Sequence, residues 1–244
     1  MHTETPLLSI IIASYNSEKD IENALTSIIE QTFINWECII IDGKSSDNTI
    51  NILKEFSEQD KRIKYVSEPD TGIYDAFNKG WKLAQGTWIY YLGSDDIILP
   101  TAFYEILSQK EINEYDVVYA GVIRISKNGV QSKSIATGHE KLPYKMLACH
   151  QAILTKKTAL ECLGGFDEEL HIIGDKEFYI RMYLENTFKF KRLNNIYIAK
   201  FKTGGASSSL KKCLKEDFYI RKKNNLSIKY IIYQIVRTLW LMIK

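Results

Sequence analysis

The sequence predicts an α/β protein: a mostly parallel, Rossmann-type sheet with flanking helices, followed by a mixed second half. Three observations predict it. Short β-branched apolar runs recur through the first hundred residues. Helical stretches of about 10–15 residues separate them. Polar residues stand at the ends of these runs, where an open parallel sheet places its ligands.

Leu7 to Ala13 (LLSIIIA) reads as a strand buried on both faces. Ser14-Tyr15-Asn16 ends it, and Ser17 with Asp20 opens a helix whose Ile21, Leu25, Ile28 and Ile29 share one face. Trp36 to Ile41 is the second strand, closed by Asp42, and Asp47 caps a helix with Leu53 and Phe56 inward. A third strand, Ile63 to Val66, precedes a helix carrying Ala76, Phe77, Gly80, Trp81 and Ala84. Trp88 to Leu92 then runs into Gly93-Ser94-Asp95-Asp96.

After residue 115 the pattern loosens. Val117 to Ile125 reads as a strand and Asn128-Gly129 as a hairpin turn. Residues 140–187 read as helix or loop, broken at Gly164-Gly165, and Phe188 to Phe201 as two short strand pieces. The organisation expected is one domain over 1–209, split near residue 115 into two halves, with a tail over 210–244.

Composition excludes several classes. The chain has 244 residues, 45% hydrophobic and 25% charged, enough for a core without staples. Thirty-two Lys+Arg against thirty Asp+Glu is too balanced for a nucleic-acid binder, so no nucleic acid is expected as a partner. Cys38, Cys149, Cys162 and Cys213 form no CxxC pair, which argues for a reducing, cytoplasmic setting. MHTETPLL carries neither a basic n-region nor a cleavage-type site, and no run of about 18 uncharged apolar residues occurs.

Neither GxGxxG, GxxxxGK(S/T) nor HExxH is present, so phosphate binding here would rest on metal and acid. Adjacent acids at a strand end repel unless a cation neutralises them. Oxygen ligands without His or Cys favour Mg2+ or Mn2+. Asp95 and Asp96 therefore read either as metal acids or as caps of a helix starting near Pro100. Asp175 opens a helical stretch with Phe178, Met182 and Tyr183 inward, where it reads as an N-terminal cap or dipole partner. Cys149 and His150 are adjacent and do not face each other, so they make no nucleophilic dyad alone. His150 is read as an acceptor-site or structural residue.

A series of motifs in register carries a resemblance. Ser9 to Asn16 (SIIIASYN), Ile40 to Thr49 (IIDGKSSDNT), Glu68 to Gly80 (EPDTGIYDAFNKG) and Gly93 to Asp96 (GSDD) occur in order. Gly164-Gly165-Phe166-Asp167, Gly174 to Phe178 (GDKEF) and Gly204 to Ser207 (GGAS) follow. Over roughly residues 6–209 the chain resembles a family-2 inverting glycosyltransferase of the GT-A fold, of the surface-polysaccharide type. The resemblance implies that Asp42 binds the base of a nucleotide sugar, typically uracil, with Ser14 and Asn16 lining the same pocket. It implies Asp95 near ribose and metal, Asp96 as direct ligand of Mn2+ or Mg2+, and Asp175 as general base, ahead of the rivals Glu177 and Asp167. The Gly204-Gly205 and Ser207 to Ser209 stretch would close over the diphosphate.

Two departures stand out. The family commonly has a second acid and a Gly where Gly43 and Lys44 stand, and an Arg where Phe77 stands, so Lys79 or another base would have to supply the missing cation. Alternatives to the transferase reading are a sugar-nucleotide-forming nucleotidyltransferase and a non-catalytic nucleotide-sugar-binding relative. The first usually has a Gly-rich phosphate loop, and Ser14 to Asp20 holds no glycine.

Residues 211–244 hold nine Lys/Arg and two acids. Such a basic, apolar tail reads either as a helix in the interface of the inner membrane, with Trp240 and Tyr230 as anchors, or as a helix packed on protein. The acceptor expected is a lipid-linked oligosaccharide at the cytoplasmic membrane face. The oligomeric state is left open.

Overall fold

The computed structural model describes residues 5–204 and 209–243. Gly205, Ala206, Ser207 and Ser208 of the expected closing loop lie outside the described residues. Four parallel strands form the first half: β1 (Leu8–Ser14), β2 (Trp36–Asp42), β3 (Ile63–Ser67) and β4 (Trp88–Gly93). Helices α1 (Ile21–Ile29), α2 (Thr49–Gln59) and α3 (Ile73–Leu83) connect them. The short β5 (Ile97–Ile98) and α4 (Ala102–Leu107) follow.

The second half adds β6 (Val117–Ile125), β7 (Gln131–Ser134), β8 (Ile153–Lys156), α5 (Lys157–Leu163), α6 (Gly174–Glu185) and β9 (Phe190–Lys202). All nine strands share one sheet in the order 3-2-1-4-8-6-9-5, with β7 on β6. Strand β8 runs antiparallel to both β4 and β6, so a single reversed strand joins the two halves.

Strand alternation explains the layers. Ile11, Ile39, Ile41, Ile89 and Tyr91 point to one face, under α3, α5 and α6. Ile10, Ile12, Cys38, Ile40 and Tyr90 point to the other, under α1, α2 and α4. The β-branched runs are buried almost without exception, as a sheet covered on both faces requires. Gly80 lets α3 lie directly on the sheet, because a Cβ there would collide with Ile11.

Two details differ from the sequence reading. Ile153 to Lys156 is a strand within the stretch read as helix or loop. Phe190 to Lys202 is one strand rather than two pieces, continuous through Asn195 at φ 63° and through register shifts against β6.

The C-terminal segment forms α7 (Leu210–Lys223) and α8 (Ile228–Ile243). Tyr230, Ile231, Gln234 and Thr238 of α8 are buried against the body. Tyr230 therefore does not serve as an interface anchor; its hydroxyl donates to Asp217 inside the protein. The opposite side of α8 exposes Ile228, Ile232, Val236, Leu239, Trp240 and Met242. No helix among the described residues is long and apolar enough to cross a membrane.

Candidate active site

The site forms at the carboxyl ends of β1, β2 and β4. Register places Ser14 beside Asp42. Asp42 is fully buried and accepts from the Ser45 backbone N–H at 2.9 Å and the Ser67 hydroxyl at 2.8 Å. Asn16, at φ 48°, donates its own N–H to Ser45 Oγ at 2.8 Å and accepts from Ser46 N–H at 2.9 Å. Asp42 and Asn16 thus brace the loop that follows β2 from two sides. The Ser14 hydroxyl is buried and meets no hydrogen-bond partner among the described residues.

A Cβ on Gly43 would lie 2.6 Å from Asp70 Oδ2, so a side chain there would have to displace the Asp70 carboxylate. Asp70, from the turn before α3, thus packs against the loop that follows β2. Burial, with the charges of Asp75 and Asp42 adding, raises the Asp70 pKa, while the Gly72 N–H opposes the shift. Tyr15, 66% exposed, stands against the same glycine.

Past β4, Asp95 and Asp96 turn back over Gly93, where a Cβ would lie 2.5 Å from Asp96 Oδ2 and 3.1 Å from Asp95 Oδ1. Ser17 and Ser94 hydroxyls meet at 2.9 Å and tie this turn to the loop after β1. Neither acid caps α4; Thr101 precedes that helix. Asp96 is buried, and burial pushes its pKa up to about 7, with the Asp95 charge adding and the Gln151 hydrogen bond opposing. Gln151 Nε2 donates to Asp96 Oδ2 at 2.6 Å. The Gln151 backbone carbonyl in turn accepts from the Tyr90 hydroxyl at 2.8 Å.

No cluster of three or more His, Cys, Asp or Glu suited to a metal occurs among the described residues. Two neighbouring carboxylates nevertheless fit Mg2+ or Mn2+, which take one or two acids and complete their shell with phosphate and water. Burial disfavours the charged form of Asp96, and a cation bound there would offset that cost.

Asp175 opens α6. Its Oδ1 accepts from Lys176 N–H at 2.8 Å and lies 3.3 Å from the Tyr74 hydroxyl. Burial raises its pKa, against the opposing effects of His150, the Lys176 N–H, Tyr74 and the Lys176 charge. A base in this state binds a proton more readily than a solvated carboxylate. The two rivals are occupied. Glu177 is fully buried and gripped by Arg181 Nε at 2.9–3.0 Å and by Asn224. Asp167 is paired with Lys223 at 2.7 Å.

Cys149 and His150 join the two acid centres. His150 lies within the fields of Asp175 and Asp95, and Cys149 within those of Asp175 and Asp96. Burial lowers the pKa of His150 and raises that of the Cys149 thiol, so neither is charged at neutral pH, and Cys149 lacks the thiolate of a nucleophile.

Phe77 is buried in an aromatic cluster with Tyr74, Tyr91 and Phe166 and carries no cation to the site. Lys79 is engaged by Glu68, Asp75 and the Pro69 carbonyl. Lys202, at the end of β9, is a cation within the fields of the acid pair. It is bridged to Asp20 at 2.6 Å and feels the charges of both Asp95 and Asp96. Asp70, Gln151 and Lys202 were not legible in the sequence; each meets its partner only through long-range folding.

A mostly parallel α/β sheet with acidic residues at its strand ends defines the structural class, and comparison with known proteins specifies the family. The model of the family "Glycosyl transferase family 2" matches residues 9–166, more than half of the chain. The chain belongs to that family.

A PGL/p-HBAD biosynthesis glycosyltransferase of Mycobacterium bovis is 29% identical over 243 residues, covering 95% of this chain and 91% of the relative. The hyaluronan synthase of Pasteurella multocida is 30% identical over 231 residues, covering 91% of this chain but 22% of that protein. Among solved structures, S. aureus TarS in complex with UDP-GlcNAc superimposes with TM-score 0.70 at 21% identity, over 87% of this chain and 65% of that one. The mannosyltransferase PcManGT of Pyrobaculum calidifontis, in complex with GDP-Man and Mn2+, gives 0.67 at 15%, over 92% and 66%. The fold is GT-A.

Proposed function

We propose that the protein is a metal-dependent, inverting glycosyltransferase. It moves a single sugar from a nucleotide donor, UDP-linked, onto a hydroxyl of a lipid-linked glycan during surface-polysaccharide (O-antigen or capsule) assembly. The observation that supports this reading is that Asp42 and the Asp95–Asp96 pair follow the carboxyl ends of β2 and β4, while His150 lies within the fields of both Asp95 and Asp175. UDP-GlcNAc in TarS and GDP-Man with Mn2+ in PcManGT lend it support from the same fold.

In this reading Asp42, Ser14 and Asn16, with Asp70, line the nucleoside end. Asp95 and Asp96 hold Mn2+ or Mg2+, which when bound supplies charge neutralisation to the departing diphosphate. Lys202 adds a protein cation on that side, in place of the arginine that Phe77 displaces. Asp175 accepts the proton of the attacking hydroxyl, and Tyr74 holds its carboxylate in line. One displacement at the anomeric carbon inverts it.

The acceptor arrives from a membrane surface. The exposed apolar side of α8 and the nine Lys/Arg of residues 211–244 support seating on the cytoplasmic face, apolar residues in the interface and lysines on anionic headgroups. The decisive experiment is donor hydrolysis screened over nucleotide sugars with Mn2+ and Mg2+, with and without chelator. Turnover that a chelator stops, and that Asp96→Ala abolishes, supports the reading; turnover indifferent to both overturns it.

A further inference from the structure

Asp175 sits two residues beyond a short segment whose backbone is held from outside its own helix. Glu216, on α7, accepts three successive N–H groups from the 171–173 segment. His171 N–H donates to Oε1 at 3.0 Å, and Ile172 and Ile173 N–H donate to Oε2 at 3.1 and 2.9 Å. On the other side the Tyr74 hydroxyl donates to the Ile172 carbonyl at 3.0 Å. Gly174 rests against the Tyr74 ring so closely that a Cβ would come within 2.8 Å. The next residue of α7 acts on the same helix: Asp217 pairs with buried Lys176 at 2.6 Å and accepts from the Tyr230 hydroxyl of α8.

We propose that Glu216 is a positioning residue for the general base: by clamping the 171–173 backbone it sets where α6 starts and hence where the Asp175 carboxylate points. The proposal rests on Asp175 being the base. Charge-assisted bonds to backbone N–H groups are the stronger kind, and three on one carboxylate hold a segment more tightly than a cap held by one. A carboxylate at a helix start also balances the N-terminal dipole. The effect of Glu216 passes through the 171–173 backbone to Asp175. Helix α7 is then part of the positioning apparatus, and its next residue, Asp217, links Lys176 of α6 to Tyr230 of α8.

The test compares Glu216→Gln, Glu216→Asp and Asp175→Asn in the full chain. It uses whichever nucleotide sugar the wild type turns over, with UDP binding by calorimetry as the check on the donor site. Glutamine keeps the size but replaces one accepting oxygen with a donor facing N–H groups. It lowers kcat about 10- to 100-fold, the scale expected when a catalytic group is misplaced by about 1 Å, while donor KM and UDP affinity stay within about twofold. Aspartate keeps the charge on a shorter arm and recovers part of kcat.

An unchanged kcat in Glu216→Gln, or kcat and UDP affinity falling while donor KM rises, all in step with thermal stability, overturns the proposal. Should Glu216→Gln melt below the assay temperature, Glu216→Asp carries the same kcat-against-KM comparison. Full activity in Asp175→Asn sinks the base assignment and this proposal with it. An inactive Asp175→Asn beside an unimpaired Glu216→Gln sinks the proposal alone.

Discussion

Gln151 holds Asp96: the amide nitrogen lies 2.6 Å from Oδ2 of a carboxylate that is 3% exposed. This bond fixes one oxygen of the carboxylate. Partners of this kind orient metal ligands, and their loss typically weakens metal binding about 10- to 100-fold. Gln151→Ala should therefore weaken Mn2+ binding by that order in the presence of UDP, read by electron paramagnetic resonance titration. Unchanged Mn2+ affinity would mean that Asp96 keeps its orientation by other means.

Asp175→Asn should separate activity from stability. Transfer falls by about 10²–10⁴, the usual share of a general base. The folded-state pKa of Asp175 is raised, so ionising it in the fold costs stability progressively as pH climbs from the unfolded value through the folded one. An asparagine, whose oxygen still accepts from Lys176 N–H, avoids that cost. The variant should melt above the wild type at neutral pH, with the gain shrinking toward pH 4.

The same shift sets a kinetic pH dependence. Asp175 must be ionised to take a proton, and burial places its titration above the ordinary carboxylate range. The kcat profile in wild type should fall on the acid side at a pH clearly higher than about 4, the unperturbed carboxylate value. A flat profile down to pH 4 would contradict the assignment.

Gly43→Ala tests the crossing of Gly43 and Asp70. The added carbon meets Asp70 Oδ2 at 2.6 Å, and crowding of this order costs about 1–3 kcal/mol. Asp70→Ala in the same chain should relieve the clash, giving a non-additive double-mutant cycle in urea denaturation. Simple additivity of the two changes would argue that the loop moves aside freely.

The outer side of α8 can be altered without touching the fold. Ile232→Glu with Leu239→Glu changes exposed positions, so stability should stay within about 0.5 kcal/mol. Co-sedimentation with vesicles containing anionic lipid should drop sharply for the pair. Equal retention of both proteins would leave that face without a membrane role.

What was legible in the sequence follows one physical rule. A strand covered on both faces needs an unbroken apolar run, and Leu8–Ser14, Trp36–Asp42 and Trp88–Gly93 write that need into consecutive residues. Their carboxyl ends then locate Asp42, Asp95 and Asp96 by topology. Ile153–Lys156 escaped because four residues wedged between a 3-10 turn and a helix leave no period to read.

Gln151, Asp70 and Glu216 escaped for a different reason. Each acts on a partner 27 to 55 positions away, or nearly so, and no local pattern records such pairings. Lys202 is the extreme case, bridging to Asp20 across 182 residues. The role of Phe77 is visible only once its aromatic neighbours surround it.

The buried Lys176–Asp217 pair has a practical consequence for engineering. Grafting the final helices of one relative onto the body of another would leave a lysine stranded beside Asp175 unless its partner travelled with the graft. A workable chimera has to exchange the 171–176 stretch together with the C-terminal helices as one cassette.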